Sequence, residues 1–572
     1  MGNENFFKDL GKSVVVYLGS AWLFLELTNF LVDRFALNSA FIDILLWLVI
    51  FGLPAFIIHL LFNQKFSRKA IFFQSINGLF ALSVIIYHLV DPDRLDPSRL
   101  RLLNFKNQQS EIASSIRSIA ILPIMNYSGD DSKDYLSAGI HDALISEVGK
   151  LGAIRVISRT STLPYFDSKK SIQEIASELK VDAIMEGSLL SASEMVRVQV
   201  KLISAYPEEM QLWSQTYDSK LTDILQTYAS MTNSIAREVN ITLSQEEQRL
   251  LGNNRKINPD AYEAYLKGKY SLGMLSEEGI QAAMGHFKRA MEIDPEFAPP
   301  YAGMAGIWAI LKQMDIVTTE QAETPIKENL QKAKALDSTL AEVYYFDAIS
   351  AVWTEFDWAR GEKQFLKALE INPNHSEARG LLGHFYWCMS RLDKAEDQLN
   401  QALRLDPENP FVKVLNATRL GNADIDPDSA IVILEPLQKM MPTNPLVNLV
   451  LLLSYNKVGA KDKTFEQMKM KVSMETDTAI HDWMDEKYEQ LGLDGVASET
   501  AMFLEENYFS EVSAQTFQVL YHLAENDEKC LDWLEKGYIR RDPDMPYMKA
   551  VYYANHYASH PRFKEIARKM NL

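Results

Sequence analysis

Hydrophobic residues form three long stretches near the start of the chain, at Val14 to Val32, Ala40 to Phe62 and Ala70 to Val90. Each stretch is long enough for a helix to cross about 30 Å of hydrocarbon.

The basic residues beside these stretches are Lys8, Lys12, Lys65, Arg68 and Lys69. Because basic flanks stay in the cytoplasm, three crossings place the rest of the chain outside it. We therefore predict a membrane domain with three transmembrane helices over 1–90. The chain is expected to be membrane-embedded and multi-pass in a bacterial inner (cytoplasmic) membrane, with periplasmic soluble domains. If the third stretch is only interfacial, the soluble domains lie on the other side.

The pattern changes after a polar segment over 91–115, which is typical of a linker. Short apolar runs and helical periodicity alternate from 116 to 243. Strands are predicted over 118–123, 154–158, 183–188, 196–204 and 212–217, and helices over 135–150, 171–180 and 221–239. The alternation from Val196 to Leu202 indicates a strand with one buried and one solvated face. These elements predict a small mixed sheet with helices packed on it.

A longer period governs the rest of the chain. In the stretch from Ser376 to Pro407, Leu382, Gly383 and Tyr386 share one predicted helix, and a second helix carries Ala395, Leu399 and Ala402. Equivalent closing positions occur at Pro295, Ser338, Pro373, Pro407 and Pro442, at intervals of 43, 35, 34 and 35 residues. This spacing resembles the tetratricopeptide (TPR) repeat, whose period is about 34 residues. We predict about five repeats over 259–442, with an insertion near 314–323. Degenerate TPR-like helix pairs and a C-terminal cap with a polar outer face are expected over 443–572.

A second resemblance covers the sheet region. The segments IAILPIMNYSGDDSKDYLSAGIHDALISEVGKLGAIRVISRTST, VDAIMEGSLL and LWSQTYDSKLTDI are similar to the TolB N-terminal-like domain, which often precedes TPR repeats in bacteria. The N-terminal apolar stretches and the terminal run from LDWLEKGYIRRDPDMPY onward resemble the ends of the same proteins. Some relatives carry a winged-helix or nucleotide cyclase domain ahead of the sheet, and this chain shows neither. The resemblance therefore implies interaction and sensing without a cyclase or a DNA reader.

Together these patterns predict an α+β multidomain fold class. It combines three transmembrane helices, a small mixed α/β (TolB N-terminal-like) domain over 116–243 and a C-terminal all-α TPR superhelix.

Candidate binding residues follow from the repeat register, because the first helix of each TPR pair lines the concave groove and holds ligands there. Seven residues are predicted to face the groove: Phe346, Ser350, Trp353, His384, Trp387, Arg419 and Asn422. Trp353 and Trp387 occupy equivalent positions, so their rings are expected to form a platform for an extended protein or peptide partner. The competing interpretation packs both rings as core against the neighbouring repeat. His384 has no second ligand at metal spacing, so no metal site is predicted.

Charge and cysteine content narrow the classes of function. The formal net charge is −18, and without a basic face we expect no nucleic-acid partner. The two cysteines, Cys388 and Cys530, are far apart and indicate neither a disulfide framework nor a metal site. The polar residues Arg155, Ser158, Arg159, Thr160 and Ser161 form either a small anion site or, more simply, a polar strand end.

Two hypotheses of function remain, and no cofactor is expected for either. The first is a membrane-anchored protein–protein interaction scaffold whose TPR groove binds its partner. The alternative is a transmembrane sensor that relays partner or ligand binding to a cytoplasmic partner. No nucleophile–base pair, metal cluster or phosphate loop stands out, so we do not expect an enzyme. The sequence leaves self-association open.

Overall fold

The computed structural model describes most of the chain after residue 107. Before that point it describes 14–22, 25–26, 46, 49–50, 52–53, 55, 57, 75–76 and 78–83. From 108 to 572 it describes all residues except 193, 253–254, 274–275, 314–315, 423–424, 477–479, 510, 543 and 552–553. The chain divides into two compact units, 1–111 and 112–572.

The first unit is described only in short helical pieces, and most of the three predicted spans lies outside the described residues. Within it, the hydroxyl of Tyr17 donates a hydrogen bond of 3.1 Å to the carbonyl oxygen of Val49. A spanning helix needs about 20 mostly apolar residues. Among the helices that the structure describes, none combines the length and the apolar composition for a crossing.

This finding contradicts the predicted fold class in its three transmembrane helices. It likewise contradicts the membrane-embedded state and the multi-pass inner-membrane location. The second unit holds a small sheet region and TPR-like helical repeats.

The sheet of the second unit contains both parallel and antiparallel strands. Its strands are β1 (Ser118–Ile121), β2 (Met125–Asn126), β3 (Arg155–Val156), β4 (Ala183–Ala192), β5 (Met195–Ser204) and β6 (Met210–Lys220). The order is β3-β1-β4-β5-β6, and β2 also pairs with β4. Strand β1 runs parallel to β3 and β4, whereas β4, β5 and β6 form an antiparallel meander. The predicted alternation in β5 is confirmed, since every second side chain from Val196 to Leu202 is buried and those between are exposed or half-buried.

Helices accompany the sheet, and local sequence explains where they begin. They are α1 (Asp134–Gly149), α2 (Arg159–Thr162), α3 (Ile172–Leu179), α4 (Ile224–Glu238) and α5 (Gln245–Leu251). Ser171 begins α3 with a capping box, in which its hydroxyl accepts from the backbone N–H of Glu174 and the Glu174 carboxylate accepts from the N–H of Ser171. This pair satisfies two N–H groups that a helix start otherwise leaves unpaired.

Paired antiparallel helices follow from residue 259. They are α6 (Pro259–Leu272), α7 (Glu277–Ile293), α8 (Ala298–Gln313), α9 (Thr319–Leu336), α10 (Ala341–Trp353), α11 (Trp358–Ile371), α12 (Ser376–Cys388), α13 (Leu392–Leu405), α14 (Pro410–Asn422), α15 (Pro427–Met440), α16 (Pro445–Lys457) and α17 (Lys461–Glu475). Close packing within a pair needs small residues, because a Cβ at Gly383 of α12 would lie 2.8 Å from the Cγ of Leu399 on α13. The extra residues of the second pair lengthen α8 and α9 to 16 and 18 residues, so much of the insertion predicted near 314–323 is helix.

Residues 481–572 fold back onto the repeats. They form α18 (His481–Asn507), α19 (Ala514–Leu523), α20 (Asp527–Arg540), a 3₁₀ turn at Met545–Tyr547, α21 (Ala554–Tyr557) and α22 (Pro561–Lys569). Buried side chains from Ala302 on α8 to Met570 form one continuous hydrophobic cluster. The indole Nε1 of Trp358 donates a hydrogen bond of 2.6 Å to the carbonyl oxygen of Met570. The C-terminal segment therefore packs into the array as part of its core, in addition to ending it.

Candidate functional site

Three of the predicted binding residues come together at one place. Trp353 is the last residue of α10, and His384 and Trp387 lie one turn apart on α12. The imidazole of His384 stacks 6.3 Å from the Trp353 ring and lies 5.1 Å from the Trp387 ring. We call these three residues and Tyr547 the aromatic cluster.

Tyr547 completes the cluster from the other end of the array. The indole Nε1 of Trp353 donates a hydrogen bond of 3.0 Å to the Tyr547 hydroxyl. The Tyr547 ring lies 5.2 Å from His384 and 6.1 Å from Trp387. The surface that the sequence predicts as an open groove is thus covered, at this point, by the C-terminal segment of the same chain.

The cluster is almost completely removed from solvent. The exposed fraction is 3% for Trp353, 1% for His384, 2% for Trp387 and 8% for Tyr547. In this structure the rings therefore pack as core, which is the competing interpretation of the sequence. Their role in holding a separate partner stays a prediction.

His384 is the polar member of the cluster that lacks a hydrogen-bond partner. Among the described residues, neither Nδ1 nor Nε2 of His384 has one. Burial lowers the pKa of His384 to about 3, so the imidazole is neutral at ordinary pH. A neutral imidazole has one N–H to donate and one nitrogen lone pair to accept with, and leaving these unpaired in the interior costs free energy.

Phe346 and Ser350 lie on α10 with the cluster but make other contacts. A Cβ at Gly306 of α8 would lie 2.4 Å from the Cζ of Phe346, so Phe346 packs directly over that glycine. The Ser350 hydroxyl is buried and donates a hydrogen bond of 3.3 Å to the carboxylate of Glu355.

Arg419 and Asn422 lie on the next first helix, α14. Arg419 is 7% exposed, and its guanidinium lies 4.0 Å from the carboxylate of Glu396. Its Nε has no hydrogen-bond partner among the described residues. Asn422 ends α14, and its side chain lies outside the described residues.

Sequence reasoning missed two further features, and the first is Tyr547. The only local signal for it is the aromatic and methionine density of the run MPYMKAVYY, which follows the last long helix. The partner of such a run depends on long-range folding, so the run alone does not identify Trp353 as its contact.

The second missed feature is a set of hydrogen bonds between the sheet region and the loops of the repeat array. The Asn374 side chain, in the loop between α11 and α12, accepts a hydrogen bond of 2.9 Å from the backbone N–H of Val156. Its amide nitrogen donates to the carbonyl oxygens of Gly149, Leu151 and Ile154 at 2.9, 3.3 and 3.0 Å. One side chain thus satisfies four backbone groups of the turn between α1 and β3.

A buried carboxylate in the next loop of the array also bonds to the sheet region. Asp406 is 1% exposed and accepts hydrogen bonds from Ser161 at 2.5 Å, Asn409 at 2.7 Å and Ser376 at 3.3 Å. Burial raises the pKa of the Asp406 carboxyl, while these hydrogen bonds lower it. Ser158 also joins the contact, with its Oγ 2.8 Å from that of Ser376. Ser158 and Ser161, considered above as parts of an anion site, instead make hydrogen bonds to Ser376 and Asp406 of the repeat array.

Other chemistry is limited in the part of the chain that the structure describes. No group of three or more His, Cys, Asp or Glu side chains there is arranged to hold a metal ion. An open cavity of about 550 Å³ lies beside the C-terminus, and its lining includes Phe356, Trp358, Phe385, Glu362 and Arg391. Arg391 donates a hydrogen bond of 2.8 Å to Glu362, so these two charged side chains of the lining are paired with each other.

Comparison with known proteins agrees with the repeat pattern. The model of the tetratricopeptide repeat TPR_8 matches residues 376–409, which span α12 and α13. The chain is 27% identical over 243 residues to a protein of Rhizobium meliloti (strain 1021) named "Putative adenylate cyclase 3", covering 41% of this chain and 40% of that protein. It is 21% identical over 247 residues to the transcriptional regulator HilA of Salmonella typhimurium, covering 42% of each. Among solved structures, yeast Tom70 aligns with a TM-score of 0.32 and 14% identity, over 61% of this chain and 83% of Tom70.

These likenesses are partial. The chain spans about two fifths of the length of the first curated relatives that it matches. The resemblance of the sheet region to the TolB N-terminal-like domain stays a prediction. The helix pairs and the matched repeat support one coarse conclusion: this is a chain with tetratricopeptide-type repeats, of which residues 376–409 are the matched unit.

Proposed function

We propose that this chain is a protein–protein interaction scaffold and that the aromatic cluster is its peptide-recognition site. Arrays of this type present extended surfaces to protein partners. The observation that carries the proposal is the docking of Tyr547, because a side chain from a distant segment is already held there by Trp353, His384 and Trp387. Chemistry that accepts one segment of this kind can accept another.

The contacts suit recognition of an aromatic residue. Aromatic anchors in desolvated pockets contribute much of the binding energy in protein interfaces. Here three rings surround the tyrosine, and one buried N–H donor fixes its hydroxyl. The partner segment takes the place of Tyr547. Phe346, Ser350, Arg419 and Asn422 are proposed to contact the flanking parts of that partner along α10 and α14.

Crosslinking in cells tests this function, with a tagged chain and mass spectrometry of the captured proteins. Tyr547→Ala vacates the cluster and is expected to increase capture of the partner. Trp353→Phe/Trp387→Phe keeps aromatic packing but removes the indole N–H groups and is expected to reduce capture. Ile539→Ser is the matched control on the C-terminal segment, because Ile539 is 78% exposed and outside the cluster.

The comparison of variants decides the outcome, provided that circular dichroism shows each variant folded. A protein captured in the order Tyr547→Ala, wild type, then the double variant supports the site. Equal capture by all four chains would place the binding surface elsewhere, and the sheet region would be the next candidate.

A further inference from the structure

The segment around Tyr547 covers the aromatic cluster but leaves one of its polar side chains without a hydrogen bond. The indole N–H of Trp353 has a hydrogen-bond acceptor, the Tyr547 hydroxyl at 3.0 Å. His384 has no hydrogen-bond partner, since both of its ring nitrogens are buried and unpaired among the described residues. Native interiors pair nearly all of their buried polar atoms, so an exception at a candidate site calls for an explanation.

The segment that covers the cluster is held at both ends by contacts that do not involve the cluster. Upstream, α20 packs against α19, and Arg541 ends α20 with a left-handed backbone at φ 53°. Downstream, the guanidinium of Arg562 binds the carboxylates of Glu528, Asp532 and Glu535 on α20 at 2.8 to 3.1 Å.

The connection between α20 and α21 is therefore a loop with two fixed ends. The ion pairs between α20 and α22 involve no residue of the cluster, so they do not require Tyr547 to occupy it. A loop tethered at both ends stays near its site at high local concentration, as an intramolecular competitor does.

We infer that the loop around Tyr547 is a replaceable occupant, and that the preferred partner is a peptide segment with two features. The first is a tyrosine side chain, whose ring fits among Trp353, His384 and Trp387 and whose hydroxyl accepts from Trp353. The second is a neighbouring polar group that pairs with His384, which the resident loop lacks. This inference rests on the proposed function of the cluster and names the chemistry of its ligand.

The choice of tyrosine over phenylalanine follows from the buried indole. A phenylalanine fills the same space but leaves the Trp353 N–H without an acceptor, and a buried donor without a partner is costly. We expect about a tenfold preference for tyrosine on this ground. The polar group that pairs with His384 lets the partner bind more tightly than the resident loop, because the loop makes no hydrogen bond with His384.

The test uses the full-length chain and synthetic peptides. The parent peptide copies residues 541–553, RDPDMPYMKAVYY. A second peptide replaces its Tyr547 by phenylalanine, and a small panel places Asn, Asp or Lys at position 546 or 548. Binding is measured by fluorescence anisotropy to wild type, to Tyr547→Ala, and to His384→Leu, which removes both unpaired nitrogens at similar volume.

Three results are expected. The parent peptide binds Tyr547→Ala about tenfold more tightly than its phenylalanine version does. At least one polar member of the panel binds the wild-type chain more tightly than the parent does, and loses that advantage on His384→Leu. Hydrogen exchange at residues 545–551 becomes several-fold slower in His384→Leu, because the closed loop no longer buries unpaired nitrogens.

Two outcomes overturn the inference. One is that no peptide of the panel distinguishes the wild type from His384→Leu. The other is that His384→Leu speeds exchange at 545–551, which would make His384 a support of the closed loop. If Tyr547→Ala does not fold, Trp353→Phe replaces it as host, and the preference for tyrosine over phenylalanine must then disappear. The crosslinking experiment can succeed while these measurements fail, so the two proposals are separable.

Discussion

The indole Nε1 of Trp353 donates a hydrogen bond of 3.0 Å to the hydroxyl of Tyr547, which lies 194 positions later in the chain. This contact joins the end of the first helix of one repeat to the loop before the last helices. It converts a predicted groove surface into a closed aromatic cluster. Whether the loop opens to admit a partner is therefore a question about the strength of this contact.

The hydrogen bond between Trp353 and Tyr547 should be measurable by a double-mutant cycle. Trp353→Phe and Tyr547→Phe each remove one of its two partners, and each is expected to lower the free energy of unfolding by about 1 kcal/mol. The double variant should lose less than the sum of the two, with a coupling energy of about 1 kcal/mol. Urea unfolding provides the measurement, and strictly additive losses would mean that the bond contributes nothing in solution.

Trp387→Ala tests the burial of the platform. An accessible groove residue can be removed with little change in stability, whereas emptying a buried aromatic site costs about 3–5 kcal/mol. Since Trp387 is 2% exposed, we expect the larger loss. Thermal unfolding followed by circular dichroism measures it, with Leu392→Ala, a half-exposed position on α13, as the control. A melting temperature like that of the wild type would restore the open-groove interpretation.

Asn374→Ala should loosen the sheet region from the repeats. The change removes one acceptor and one amide donor group that together satisfy Val156, Gly149, Leu151 and Ile154. Leaving buried backbone groups unpaired costs about 1–3 kcal/mol. We expect faster hydrogen exchange at Val156 and no change in the hairpin of β5 and β6. Asn507→Ala is the control, because among the described residues the Asn507 side chain bonds to the carbonyl oxygen of Phe503 in its own helix.

Acid should destabilise the fold through buried histidines. Burial lowers the pKa of His384 to about 3 and the pKa of His141 to about 4, against about 6.5 in an unfolded chain. The folded state then binds fewer protons than the unfolded state. The stability that these neutral rings contribute is present above about pH 6.5 and is lost as the pH falls from there towards the folded-state pKa.

Substitution of one histidine isolates its share of this acid sensitivity. For His384→Leu, the slope of unfolding free energy against pH between about pH 6 and 4 should decrease by about 1.4 kcal/mol per pH unit relative to the wild type. Urea unfolding at a series of pH values measures both slopes. Parallel curves for the two chains would show that His384 takes up its proton without unfolding, as it would if the loop opened in acid.

Local sequence signals predicted much of the second unit. The predicted helix over 171–180 corresponds to α3, which begins with a capping box on Ser171, and the alternation from Val196 to Leu202 identifies the buried face of β5. The small residue at Gly383 is required for the contact between α12 and α13. Each of these signals acts within a few residues or between adjacent helices, so a pattern of 2 or about 3.6 residues is enough to reveal it.

The long apolar stretches were a different case. Their composition predicted three membrane spans, and the helices described by the structure do not bear this out. Hydropathy over a window measures how apolar a segment is.

By itself, the sequence indicated the helix pairs and their period, and it predicted equivalent positions for Trp353 and Trp387. Only the tertiary structure decided that Tyr547 covers them and that Asn374 and Asp406 hold the sheet region. The physical reason is distance along the chain. Repeat periodicity depends on residues that are close in sequence. A contact across 194 positions depends instead on how the whole array curves and on which buried donor still lacks an acceptor.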